Sequence, residues 1–133
     1  MASGRHKFGL SQEALLKPTL EEAFSCKFEK TTDVFDPFDF VSHTEKIYIE
    51  IKSRHNTKAA YRDTMIGMPK IDASLKKLKE GYEVYFVFNY TDCVSYYRFE
   101  EVKPEWIRCS HWRSGKDNYF IPTEKLKDIM RKN

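Results

Sequence analysis

Cysteine is scarce in this 133-residue chain, with Cys26, Cys93 and Cys109 scattered far apart. Three such thiols build neither a disulfide framework nor a zinc site, and they read as the reduced thiols of an intracellular protein. Glycine is also sparse, and its five residues show no spacing that forms a phosphate-binding loop. Cys-x-x-Cys and His-Glu-x-x-His are absent, and nothing frames the four histidines as a nucleophile's base. No apolar run reaches the roughly 18 residues of a membrane span, and no signal peptide opens the chain. Repeats and low-complexity stretches are missing. A dominant charge is missing too: 23 basic against 20 acidic residues leave a formal +3. No dense basic tail therefore advertises a polyanionic partner, although mild basicity is compatible with one. These absences leave a soluble intracellular domain, cytoplasmic or, in a eukaryotic host, nuclear, long enough for a single core.

The informative stretch is Lys46-Ile47-Tyr48-Ile49-Glu50-Ile51-Lys52-Ser53-Arg54. Its period of two predicts a half-buried strand, with Ile47, Ile49 and Ile51 on one face and Tyr48, Glu50 and Lys52 on the other. Residues sharing a face sit roughly 7 Å apart, so a carboxylate and an ammonium stand side by side. Eleven positions before Glu50 comes Asp39, in Phe38-Asp39-Phe40-Val41. Phe38 and Phe40 are expected to face the core and Asp39 the opposite side. If the two strands pair through the polar turn Ser42–Glu45, then Asp39, Glu50 and Lys52 converge. Two carboxylates in that arrangement suit a hard divalent cation such as Mg²⁺, and a lysine beside it can hold a phosphate oxygen or orient water. The plainer reading of a Glu-x-Lys pair alone is a solvated ion pair on a sheet face.

The rest of the chain supplies a frame for that strand. Residues 1–9 are small, basic and polar and read as a flexible leader; 10–133 form one domain. Residues 11–28 carry helical periodicity interrupted by Pro18, with Thr19 and Glu22 placed as a capping box, which predicts two short helices. Residues 27–33 suggest an irregular first strand. Arg54, His55, Lys58, Tyr61 and Arg62 fall in a loop whose mixture of basic and aromatic residues suits a phosphate backbone, or simply solvent. Thr64 to Lys70 reads as a connector. Asp72 is placed to N-cap a helix over 73–80 that stops at Gly81. Tyr82 to Tyr90 is continuously apolar, as in a central strand covered on both faces. Cys93 to Glu100 and Asn118 to Pro122 suggest further strands, and a short basic helix is expected from Pro122 to Asn133. Trp112, Arg113 and Lys116 lie in an aromatic and basic segment able to stack on bases or clasp phosphates, while Trp106 is also suited to closing the core edge.

Asp39 followed by Glu50-Ile51-Lys52 on the next strand resembles the signature of the PD-(D/E)XK nuclease superfamily, which includes restriction endonucleases, Holliday-junction resolvases and phage nucleases. The resemblance spans about Leu20 to Leu126. It departs at the proline, since Asp36-Pro37-Phe38-Asp39 lets either aspartate be proposed. Asp39 is preferred because Pro37 suits the beginning of a strand. The resemblance implies an α/β fold with an αβββαβ core, a mixed sheet flanked by helices, and Mg²⁺- or Mn²⁺-dependent hydrolysis of DNA. It implies that Asp39, Glu50 and the Ile51 carbonyl ligate metal, and that Lys52 positions or deprotonates water and steadies the pentavalent phosphate. It also implies a glutamate from the first helix near the metal, for which Glu22, Glu21 and Glu13 are candidates. Lys70 would reach phosphate from the next helix. Arg54, Lys58, Arg62, Trp112, Arg113 and Lys116 complete the expected nucleic-acid surface, and a homodimer would set two sites on two strands. An RNA-cutting nuclease of the same fold and a non-catalytic binding domain are the competing readings.

Overall fold

The computed structural model describes residues 4–31, 38–109 and 116–132, with backbone alone for 4–12. Helix α1 (Gly4–Phe24) leads into strands β1 (Glu29–Lys30), β2 (Phe40–Ser42) and β3 (Ile47–Ser53). Strand β4 (Asp63–Gly67) and helix α2 (Met68–Lys79) follow, then β5 (Glu83–Asn89) and β6 (Cys93–Phe99). Strands β7 (Ile107–Cys109), β8 (Asp117–Pro122) and β9 (Lys127–Arg131) close the described chain.

A six-stranded mixed sheet in the order β1-β2-β3-β5-β6-β9 forms the middle layer. β3 and β5 run parallel, with α2 in their crossover, and the other pairings are antiparallel. One face packs on α1 through Leu16 and Leu20, which meet Ile47, Ile49, Ile51 and Val87. The other face carries Tyr48, Phe86 and Phe88 against Ile71 of α2 and against Ile66, Tyr119 and Ile121 of a second sheet, β4-β8-β7. β5 is covered on both sides as its apolar run requires: every residue from Val84 to Asn89 is buried. β3 is also buried on both faces rather than half-buried, and this is what takes Glu50 out of water.

Several local expectations need correction. α1 continues through Pro18 as one helix, so Thr19 and Glu22 cap nothing. A proline removes one intrahelical bond, but Leu16 and Leu20 on either side of it are both buried on the same sheet face. Asp72 lies inside α2; its N-cap is Gly67, with Pro69 in the first turn, where proline's missing N–H costs nothing. The predicted stop does form. Gly81 has φ +91°, its N–H donates to the Leu78 carbonyl at 3.0 Å, and that of Tyr82 donates to Lys77 at 3.0 Å. The segment read as a connector contains β4, which pairs along its length with β8. The expected C-terminal helix is one 3₁₀ turn (Thr123–Lys125) followed by β9, which occupies the otherwise open edge of β6. β1 spans two residues, and Asp36 lies outside the described residues. No helix among the described residues is long and apolar enough to cross a membrane.

Candidate active site

The site forms where β2 stops short of β3. β2 pairs with β3 only as far as Phe40 opposite Ile49. Just before it the chain bends at Asp39, so Phe38 and Phe40 enter opposite cores instead of sharing one face. The Asp39 N–H donates to the Ile49 carbonyl at 2.9 Å, and its Oδ2 accepts the Ile51 N–H at 2.7 Å. Backbone groups alternate in direction along a strand, so the Ile51 carbonyl points to the same edge. Asp39 thereby brings a carboxylate and a carbonyl together at the uncovered part of β3.

Glu50 projects from the β3 face that meets α2, with its side chain 5% exposed. Its Oε2 lies 2.9 Å from Lys70 Nζ and 3.5 Å from Lys52 Nζ. Burial, then the charge and hydrogen bonding of Asp39, push its carboxyl up to about 8, and the two ammoniums pull the other way without cancelling this. Glu13 on α1 is pushed up to about 7 by burial and by Asp39, with Lys30, 3.8 Å away, opposing. Asp39 therefore sits between two carboxyl groups that resist losing their protons. Perturbations of this kind cluster at functional sites, and structural ion-pair networks produce them too.

The arrangement gathers Asp39, Glu50, Lys52 and Lys70 as the sequence led one to expect. Glu22 is not part of it: it is exposed and lines a surface depression with Glu21, which accepts the Phe28 N–H at 2.8 Å. The first-helix carboxyl beside Asp39 is that of Glu13. The signal lay in helical spacing, because Glu13 shares its face with Leu16 and Leu20, whereas Glu22 lies on the exposed side of the helix. Replacing Glu13 with Gln should weaken divalent-metal binding by about 10–100-fold, the usual range for groups that support ligands. Glu22→Gln should change it less than about twofold, and isothermal titration with Mn²⁺ separates the two.

The expected nucleic-acid residues divide. Lys58 is engaged structurally, its Nζ 2.7 Å from Asp128 Oδ1 and its N–H bonded to Asp92. Arg54 is half-buried and donates to the Met65 carbonyl at 2.8 Å. Arg62 and Lys116 are exposed. Trp112 and Arg113 lie outside the described residues, and Trp106 packs edge-on against Tyr97 and Tyr119 at the core.

The oxygen-only donor set at Asp39, Glu50 and the Ile51 carbonyl fits a hard divalent ion, which is commonly held by one or two carboxylates while keeping several waters. Glu13 extends this set toward Asp39, yet no cluster of three or more His, Cys, Asp or Glu residues closes on one point among the described residues.

A mixed sheet with an aspartate and a Glu-x-Lys beside a break in strand pairing is the arrangement of the restriction-endonuclease-like fold class. The family model described as "Phage putative PDDEXK endonuclease" matches residues 7–118, and the chain belongs to that family. Its fold agrees with the solved structure of Archaeoglobus fulgidus Hjc, a Holliday junction resolvase from an archaeal hyperthermophile. That likeness has a TM-score of 0.54 at 14% identity and covers 87% of this chain and 94% of the other. No curated protein sequence matches the chain. Members of the PD-(D/E)XK superfamily generally use divalent metals.

Proposed function

We propose that this protein is a Mg²⁺- or Mn²⁺-dependent endodeoxyribonuclease. The observation that carries the proposal is the buried Glu50 carboxyl beside Asp39, met from two elements by the ammoniums of Lys52 and Lys70. A solvated surface ion pair would need no such burial and no adjacent second carboxylate. Asp39, Glu50 and the Ile51 carbonyl would hold the ion, with Glu13 supporting Asp39. When bound, the ion supplies Lewis acidity to the phosphate and lowers the pKa of bound water. Lys52, on the same strand face as Glu50 and one-third exposed, holds the attacking water or a phosphate oxygen in place. Lys70 brings a second ammonium to that spot from α2, where it offsets charge building on the phosphate. The family and the fold neighbour's resolvase chemistry favour DNA as substrate, cut in a structure-selective manner. A homodimer would place two such sites on two strands, and the protein would act inside the cell.

The test is cleavage of labelled linear duplex, single strand, four-way junction and RNA with Mg²⁺, Mn²⁺ or EDTA. Metal-dependent cutting of DNA is expected. Cutting of RNA alone would replace the substrate, and binding without any cutting would reduce the protein to a nucleic-acid-binding domain.

A further inference from the structure

β1 spans two residues, and neither is buried. The strand adds almost nothing to the core, yet it leads directly into Thr31, which is half-buried and gives both of its donors to the bend at Asp39. The Thr31 N–H donates to the Asp39 carbonyl at 3.0 Å. Its hydroxyl donates to the Phe38 carbonyl and lies 3.4 Å from that of Asp39. Two features of this arrangement are foreign to a regular strand. A residue in a ladder turns its N–H and C=O toward one neighbour and exchanges both bonds with it. Asp39 splits them, its N–H going to Ile49 of β3 at 2.9 Å and its C=O to Thr31. Successive carbonyls of a strand also point to opposite sides, whereas those of Phe38 and Asp39 both reach Thr31.

The bend is what turns the Asp39 carboxylate back to accept the Ile51 N–H at 2.7 Å, beside the Ile51 carbonyl. On the β3 side it is held by the Asp39 N–H and by the carboxylate itself. On the other side Thr31 holds the peptide group before the Asp39 Cα with its hydroxyl and the one after it with its N–H. Peptide groups are planar, so the two that flank a Cα fix its φ and ψ, and with them the direction of its Cβ. We propose that Thr31 is a positioning residue of the active site, whose hydroxyl holds the Asp39 backbone at the bend that carries its carboxylate to Ile51. The neighbouring Lys30 lies 3.8 Å from Glu13, the carboxyl on the other side of Asp39, so both residues at this end of the strand attach to the site. The consequence for metal and cleavage rests on the proposed nuclease reading, and the hold on Asp39 rests on the hydrogen bonds alone.

The test compares Thr31→Val, which keeps the shape and the N–H but loses the hydroxyl, with Thr31→Ser, which keeps the hydroxyl. Hydrogen exchange at the Ile51 amide of the full chain in EDTA reads the Asp39 carboxylate without any metal or substrate. Thr31→Val is expected to lose protection at Ile51 while the buried β5 amides from Val84 to Phe88 keep theirs, and Thr31→Ser to match wild type at both. Titration with Mn²⁺ should show affinity about 10–100-fold weaker in Thr31→Val, the usual range for groups that support ligands. In cleavage the loss should fall on the Mn²⁺ concentration required, with kcat at saturating Mn²⁺ close to wild type. Where Thr31→Val does not fold, Thr31→Ala against Thr31→Ser decides in the same way. Unchanged protection at Ile51 without the hydroxyl, or an equal loss in Thr31→Ser, would overturn the positioning role and leave the nuclease intact. A loss spread evenly over β3 and β5 would overturn it too, since a merely structural hydroxyl behaves so. Selective loss at Ile51 in a protein that binds no Mn²⁺ and cuts no DNA would uphold the hold on Asp39 and overturn the nuclease reading.

Discussion

Glu50→Gln should abolish metal-dependent cleavage and, in the same protein, raise the melting temperature of the metal-free form at alkaline pH. The carboxyl of Glu50 is pushed up from the ordinary glutamate range to about 8, chiefly by burial and then by Asp39. Its folded form therefore holds a proton more tightly than its unfolded form. The favourable contribution is fully present below the unfolded pKa and is lost as pH rises through about 8. A tenfold difference in proton affinity between the two forms is worth about 1.4 kcal/mol, so at pH 8.5 the buried carboxylate costs on the order of a few kcal/mol. Glutamine is neutral throughout and keeps the volume, so the gain over wild type should be small at pH 4 and grow between pH 5 and 8. Loss of the attraction to Lys70 and Lys52 trims the gain, and Glu13 leaves a residual slope in the variant. Calorimetric melting at pH 5 and pH 8.5, in EDTA and then in Mn²⁺, reads all of this. Mn²⁺ should raise the melting temperature of wild type and leave Glu50→Gln nearly unmoved. A variant that is no more stable than wild type at pH 8.5 would mean that Glu50 is not held against its own charge, and would remove the main support for a built metal site. On the proposed reading activity and stability conflict at this residue, as they often do at functional sites.

The parts of this design that could be read from the chain are those encoded by local period. Ile47, Tyr48, Ile49, Glu50 and Ile51 alternate, and their two faces are those expected. The unbroken apolar run after Tyr82 forms a strand buried on both sides, and Gly81 marks the helix stop through its positive φ. The second sheet was not legible, because β4 and β8 meet across about sixty residues of chain, with Asp63 opposite Pro122. β7 has three residues, too few to show any period. β9 reads locally as a basic helix end; the open edge of β6, together with Asp128 accepting from Ser95 at 2.6 Å and from Lys58 at 2.7 Å, makes it a strand. The same bond pairs Lys58 with Asp128, a partner that no motif foretells. At the site, Glu-x-Lys was visible but the bend at Asp39 was not. A regular strand would have placed Asp39 on one face, whereas the bend turns its carboxylate to the backbone edge at Ile51.

Two lysines reach the same oxygen of Glu50, and the second large expected effect concerns which of them serves the chemistry. Lys70 is the nearer, at 2.9 Å against 3.5 Å for Lys52. Proximity to Glu50 is the wrong criterion, because a lysine bound tightly to a carboxylate is occupied by it. Lys52 shares its strand face with Glu50, and rigid sheet backbone fixes its stem about 7 Å along from that of Glu50. A group that positions water or transfers a proton typically contributes about 10²–10⁴-fold. Lys52→Ala should lower kcat by about 10³-fold while leaving DNA binding within a few-fold. Lys70→Ala should lower kcat by about 10-fold, and its larger consequence should fall on the carboxyl. Without the Lys70 ammonium, Glu50 loses the first of the two attractions that hold its pKa down, and its pKa should climb further above about 8. The pH at which cleavage reaches half its plateau should then move upward in Lys70→Ala and by less in Lys52→Met, which keeps the stem and removes the charge at the more distant position. Single-turnover cleavage over pH 6–10, with Mg²⁺ held saturating, distinguishes these outcomes. If Lys70→Ala shows the deeper loss of kcat and an unmoved pH profile, the catalytic lysine is on α2 rather than on β3.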